Sequence, residues 1–327
     1  MDVDPMTLAR ARLALEEASR HYLFDPNVRV IDFGFPEKNG QIVEDELAIR
    51  FHVRQKLFDA ALEEATEAGI TRPIPASIGG FLTDVPQGAY RLQPGRGVSA
   101  SSPLTGSLRT NRVNPMSGGI SISDEHRNVY GTLGGLVTDR STGAAMILSN
   151  WHVLVGNWSA RPGQRIFQPG RLDGGRAADT IALLTRDAMS VNLDAAVATL
   201  SGSRSLINSQ LNLGAVKGVG KAKLGMEVVK SGRKTGITFG RVTAIEGIAK
   251  MPYDGLQRII RGVITIDQRQ GNEEVSAGGD SGSWWLDSAT MQAIGLHFAG
   301  SNSPERGLSL DMPQVLDALN VNIAVRP

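Results

Sequence analysis

Apolar residues recur at helical spacing in two segments near the start of the chain, MTLARARLALEEASRHYLF (6–24) and KLFDAALEEATEAG (56–69), and each predicts an amphipathic helix. Between them, NVRVIDFGF (27–35) and ELAIRFHVRQ (46–55) alternate apolar and polar positions as paired strands do, with KNGQ (38–41) as the turn that separates them. IGGFLTDVPQGAYRL (78–92) predicts a further strand. Together these elements predict a small α/β unit over residues 1–92, a length at which a domain can fold alone. The pattern then lapses. Residues 93–113 are rich in Gly, Ser, Pro and Thr and poor in apolar positions, which predicts a linker.

From residue 114 to the end the character is different. Short apolar runs punctuated by glycine follow one another: GISIS, VYGTLGGLVTD, AAMILSNW, NLDAAVATL, MEVVKSG, ITFGRVTAI, RGVITID and QAIGLHFAG. Many short strands with frequent turns predict an all-β sandwich or barrel. A helical pattern returns in DMPQVLDALNV (311–321), so the chain is expected to close on a helix.

Composition narrows what such a protein can do. With 34 Lys plus Arg against 33 Asp plus Glu, no surplus charge is available to grip nucleic acid or an anionic membrane, and neither is expected as a partner. The absence of cysteine removes disulfides, thiolate chemistry and cysteine-ligated zinc. The charged, amphipathic N-terminus lacks the apolar core of an export signal, and with the missing cysteines it points to the cytoplasm. No apolar run approaches the roughly 20 residues of a membrane helix. VKGVGKAKLG (216–225) lacks both the first glycine and the final Ser/Thr of a phosphate loop. No cofactor or metal is expected.

The candidate chemistry lies in AGGDSGSWW (277–285). A serine hydroxyl needs an adjacent base, and that base needs an orienting group. Of the five histidines, His21, His52 and His126 sit in a helix, a strand and a turn and read as surface or packing residues. His152 ends the apolar run AAMILSNW, and Asp194 opens the apolar strand NLDAAVATL, where an unpaired carboxylate would be costly. Glycines at 278, 279 and 282 let the backbone around Ser281 turn tightly and aim peptide N–H groups inward.

SNWHV, LDAAV and GGDSGS resemble the three catalytic blocks of the trypsin-like, chymotrypsin-fold serine proteases. VKSGRKTGITFGRVTAI is similar to the GRTTG hairpin of their alpha-lytic branch. With DELAIRFHV ahead of these blocks, the chain is most similar to the bacterial relatives of the plant narrow-leaf proteases. The resemblance implies a mainly β fold: two six-stranded β-barrels with a C-terminal helix, filling residues 114–327 behind the α/β unit. It implies Ser281 as nucleophile, His152 as general base and acid, Asp194 as the group that fixes the imidazole, and the N–H groups of Gly279 and Ser281 as the oxyanion hole. Asp280 matches the aspartate that in trypsin holds the new N-terminus, and here it needs another partner.

The same resemblance places Val275 and Ser276 on one wall of a substrate pocket and His297, Phe298, Ala299 and Gly300 on the other. Val275 stands where trypsin carries the aspartate that reads Arg or Lys, while Glu274 lies one residue away. IGLHFAG resembles the histidine-bearing strand of glutamyl endopeptidases, so His297 is the expected reader of an acidic or amide side chain. From residue 93 to 119 the only Gln, Glu or Asp is Gln93, so self-cleavage in the linker is not expected. The expected partner is a protein or peptide substrate. A homo-oligomer, or a regulatory partner bound through residues 1–92, is left open. The alternative is a latent enzyme or a non-catalytic peptide-binding module on the same fold.

Overall fold

The computed structural model describes residues 1–96, 107–271 and 273–325. It opens with helix α1 (Pro5–Tyr22), which starts where Asp4 accepts the N–H groups of Met6 and Thr7 and Pro5 occupies the first turn. Ala11, Ala14, Leu15 and Ala18 form its buried stripe. Strand β1 (Val28–Gly34) pairs antiparallel with β2 (Ala48–Val53), helix α2 (Asp59–Glu67) follows, and β3 (Phe81–Asp84) lies parallel to β2. Two short strands come next, β4 (Arg91–Leu92) and β5 (Gly95–Arg96).

The first large sheet is built from β6 (Ser121–Asp124), β7 (Val129–Thr132), β8 (Gly135–Asp139), β9 (Ala145–Ser149), β10 (Arg165–Phe167), β11 (Thr180–Asp187) and β12 (Ala196–Leu200). They pair in the order β8-β9-β12-β11-β10-β6-β7. Only Leu133 and Gly134 separate β7 from β8 in the chain, so the two ends of this sheet must meet and the sheet curls into a barrel.

The second barrel closes by hydrogen bonding. β13 (Glu227–Gly232), β14 (Gly236–Tyr253), β15 (Leu256–Asp267), β16 (Trp284–Asp287), β17 (Ala293–Asn302) and β18 (Glu305–Asp311) run β13-β16-β17-β18-β15-β14, and β14 returns to β13 at Val228↔Gly240. Helix α3 (Met312–Ala318), capped by Asp311, leads to β19 (Val321–Ile323), which adds to the first sheet beside β8. The fold is therefore mainly β, two barrels with a C-terminal helix behind an α/β segment. Six strands close the second barrel, and seven form the first.

The N-terminal segment is stitched to the second barrel. The far half of β14 pairs with β1, from Val30↔Ala249 to Phe33↔Ile245. Leu15, Phe33 and Phe51 share one hydrophobic core with Val228, Ile266 and Trp285. A buried polar cluster sits at this seam. Asp32 takes a two-pronged bond from Arg50 (2.7 and 2.8 Å), one from His52 Nε2 (3.0 Å) and one from Thr265 (2.6 Å), while Tyr90 donates to His52 Nδ1 at 2.7 Å. Burial alone would raise the Asp32 carboxyl, but Arg50 and His52 outweigh it and hold the group well below the usual carboxylate range.

Of the expected linker, residues 97–106 lie outside the described residues. The described parts are well anchored. Gln93 and Arg109 are buried, and the Arg109 guanidinium donates to the carbonyls of Gly119 and Gly232 and to Ser231 Oγ.

Candidate active site

His152 lies in a single helical turn (Trp151–Leu154) directly after β9, and Asp194 lies just before β12. β9 and β12 are antiparallel neighbours paired at Ser149↔Ala196, so both residues emerge at the same end of the pair. His152 Nδ1 meets Asp194 Oδ2 at 2.5 Å, and the His152 N–H donates to Oδ1 at 3.0 Å. Tyr253, the last residue of β14, donates its hydroxyl to Oδ2 at 2.9 Å. Burial, then the Asp194 charge, push the Tyr253 phenol well up, so it stays a donor. The Asp194 carbonyl takes the Asn150 amide at 2.8 Å. The carboxylate is thus buried and fully engaged, while the opposite imidazole nitrogen, His152 Nε2, is buried without a hydrogen-bond partner among the described residues.

Ser281 sits between β15 and β16 in a turn that requires its glycines. Gly279 has φ +118° and Gly282 φ +97°, conformations that other residues rarely adopt. Asp280 braces this turn. It accepts from Lys230 (2.9 Å), from Thr235 Oγ1 (2.7 Å) and from the N–H groups of Ala277, Lys234 and Thr235. Burial opposes ionisation, but Lys230 and Thr235 bring the Asp280 carboxyl down to about 2. Thr132 in β7 donates its N–H to the Ser281 carbonyl at 2.8 Å, tying the turn to the first barrel. An added Cβ on Gly131 would strike both the Val153 side chain and the Ser281 carbonyl, so the His152 turn and the Ser281 turn meet there. The Ser281 hydroxyl itself donates to the Phe298 carbonyl at 3.2 Å and not to His152.

The expected pocket residues also come together. Val275 and Ser276 are buried, and both donate their N–H groups to Glu305 (2.9 and 3.0 Å). Glu274 is exposed. His297, Phe298, Ala299 and Gly300 lie along β17 and are buried. Trp285 donates its indole N–H to His297 Nδ1 at 3.3 Å, which leaves Nε2 as the ring's donor. Burial, then the Lys230 charge, bring the His297 imidazole down to about 3, so the ring is neutral at physiological pH. Its Nε2–H meets Gln93 Oε1 at 2.6 Å.

Three participants escape a reading of the sequence. Lys230 lies in the VKSGRKTG block and was legible there only as part of a hairpin. Tyr253 stands in MPYDG, which looks like a turn. Gln93 opens a stretch whose composition says linker, although it is the only side chain from 93 to 119 of the kind His297 was expected to read.

Comparison with solved structures finds similarity to a chymotrypsin of Cellulomonas bogoriensis (20% identity, 64% of this chain and 99% of that one, TM-score 0.47). A Nocardiopsis protease matches at 17% identity over 64% and 99% of the two chains, TM-score 0.48. A third is a glutamic-acid-specific serine protease described as using a histidine triad in substrate binding, at 20% identity over 64% and 100%, TM-score 0.46. No family model and no curated protein matches the chain.

The Lys230–Asp280 pair yields a stability prediction. Because the folded-state value of Asp280 is depressed, its contribution is full above the ordinary carboxylate value of about 4 and is lost as pH falls toward about 2. Lys230→Met leaves the carboxylate buried with its hydrogen-bond donors but without its counter-charge, at a cost of roughly 3–5 kcal/mol. Urea denaturation from neutral to acidic pH should show this loss in full near neutral pH and shrinking as pH falls toward about 2, where the Asp280 carboxylate is protonated. Equal stability would mean that Asp280 does not depend on Lys230.

Proposed function

We propose that the protein is a serine endopeptidase. Ser281 Oγ attacks a peptide carbonyl while His152 Nε2 takes its proton, and the imidazolium then delivers that proton to the leaving nitrogen. Asp194 fixes the imidazole with Nε2 facing the reaction, and Tyr253 positions Asp194. The N–H groups of Gly279 and Ser281 receive the charge that develops on the carbonyl oxygen. Water then hydrolyses the acyl-enzyme by the same groups in reverse order.

One observation carries this reading: a fully engaged buried carboxylate on His152 Nδ1, with Nε2 left unpartnered among the described residues, in a helical turn that meets the Ser281 turn at Gly131. The hydroxyl's bond to Phe298 is compatible with it, since such contacts often tighten only around a reacting substrate. That bond is also what favours the second reading, a peptide-binding module without turnover. A fluorophosphonate probe separates the two. Labelling that disappears in Ser281→Ala supports the peptidase, and labelling absent both from the wild type and from a Gln93→Ala variant overturns it.

Substrate preference follows from the neutral His297. A ring that offers one N–H and no charge suits an amide oxygen, whereas a glutamate carboxylate would be buried without a counter-charge. Peptides with glutamine before the scissile bond should be cleaved about tenfold or more faster, in kcat/KM, than their glutamate counterparts at neutral pH, the worth of about one charged-group penalty. The gap should narrow as pH falls and the glutamate side chain protonates. His297→Ala should flatten the preference more than it lowers turnover on a small apolar substrate. A preference for glutamate at neutral pH, or for Arg or Lys, would refute this assignment.

Tyr253→Phe removes one hydrogen bond to the Asp194 carboxylate. A bond to a charged group is worth about 1.5–3 kcal/mol, so kcat should fall about ten- to a hundredfold while KM holds. An unchanged kcat would remove Tyr253 from the mechanism.

A further inference from the structure

The chain runs through its own cleft. β4 pairs antiparallel with β17, with Leu92 opposite Ala299 and Arg91 opposite Gly300. The Gln93 N–H donates to the Phe298 carbonyl at 3.3 Å, and the Gln93 carbonyl accepts the Gly279 N–H at 2.6 Å. The Gln93 side chain is buried against His297. Two residues on, β5 crosses to the other barrel and pairs with β7, Gly95 opposite Tyr130. The approach there is close, since a Cβ on Gly95 would fall 1.9 Å from the Tyr130 ring. Upstream, Tyr90 is held by His52, Ala89 N–H donates to Ser301 Oγ at 3.2 Å, and Arg306 holds the Gln87 carbonyl at 3.1 Å.

An extended segment that adds a strand to one barrel, fills a side-chain pocket, presents its carbonyl to an inward N–H and leaves along the other barrel follows the course of a bound peptide. We propose that residues 91–96 are a built-in substrate mimic. Gln93 stands as the residue before the scissile bond and Pro94 as the residue after it, and the segment keeps the site closed until it is displaced. The proposal rests on the endopeptidase reading, and it names the preferred ligand of that site as an extended peptide with glutamine at the pocket.

The same geometry predicts that the segment resists cleavage. Attack by Ser281 Oγ on the Gln93 carbonyl carbon would form an ester and break the bond to the Pro94 nitrogen, with the serine proton passing through His152 to that nitrogen. The Pro94 nitrogen carries a ring carbon in place of hydrogen, which crowds the position from which His152 must protonate it. If the bond broke, the new amine would remain pinned beside the ester by β5. Its effective concentration, on the order of 10⁵ M or more for a well-oriented neighbour, would return it to the acyl group ahead of water.

The test uses the full chain. Wild type, Gln93→Ala, Pro94→Ala and Ser281→Ala are compared by the rate of fluorophosphonate labelling, hydrolysis of a short glutamine-containing fluorogenic peptide, and intact mass. Gln93→Ala removes the side chain from the pocket and should accelerate labelling and hydrolysis about tenfold or more, the worth of one strong hydrogen bond. Pro94→Ala relieves the crowding at the leaving nitrogen but keeps the β5 anchor, so it should be cut after residue 93 slowly but faster than the wild type, a cut that disappears when combined with Ser281→Ala. Wild-type labelling as fast as that of Gln93→Ala overturns the mimic while leaving the peptidase intact. Wild-type chain cut after Gln93 overturns the claim that the segment resists cleavage. Labelling and hydrolysis absent from every variant overturn the peptidase reading, and the mimic with it.

Discussion

One strand of 18 residues, β14, holds the molecule together. Its first half closes the second barrel against β13, its length pairs with β15, and its second half accepts β1 from the N-terminal segment. A strand this long leaves unpaired N–H and C=O groups wherever its barrel partner ends, and such an edge invites unwanted pairing. The N-terminal strands fill that edge. Three breaks in register along the β14–β15 pair, between Val242 and Ala249, bend the strand so that one part serves the barrel and the other the extension. Its final residue is Tyr253, on Asp194. The second barrel, the N-terminal segment and the buried Asp194 carboxylate of the first barrel therefore all hang from one element.

Three buried aspartates show how the protein handles charge away from water. Asp32 has Arg50, His52 and Thr265, Asp280 has Lys230, Thr235 and three backbone N–H groups, and Asp194 has His152, Tyr253 and the His152 N–H. Each is surrounded by donors, as a desolvated carboxylate must be. They occupy the seam, the brace and the candidate site in turn. His152 Nε2, like Asn150 Oδ1 two residues before it and Trp284 Nε1, is buried without a hydrogen-bond partner among the described residues.

The cleft between the barrels belongs to both and to the N-terminal segment as well. His297 takes its donor role from Trp285 on one side, and its neutrality from burial and Lys230 on the other. The segment it meets is anchored through Tyr90 to His52, a histidine that belongs to the seam and not to the site. Only four residues of chain, from Tyr90 to Gln93, separate the anchor on the seam from the side chain in the cleft.

The sequence by itself carried the helices, the alternating strands and the change to β structure after residue 114, and it offered His152, Asp194 and Ser281 as candidates. Each of these is encoded locally: a repeat of side chains within one element, or a short motif whose residues touch one another through their own backbone. That His297, Phe298, Ala299 and Gly300 lie along one strand was legible for the same reason. Tertiary structure alone decided the rest. That β14 outruns its barrel and recruits β1 is a matter of register, which periodicity does not contain. That Lys230 is the partner of Asp280, and Tyr253 of Asp194, depends on strands 50 and 59 residues apart coming together. Gln93 is the sharpest case. Its neighbours are proline and glycine, so its local sequence says loop, and nothing near it announces a strand. Its position is set by contacts with Phe298, His297 and Gly279, far away in the chain. A segment with no structure of its own takes the shape of the cleft that receives it, and so it is invisible until that cleft is built.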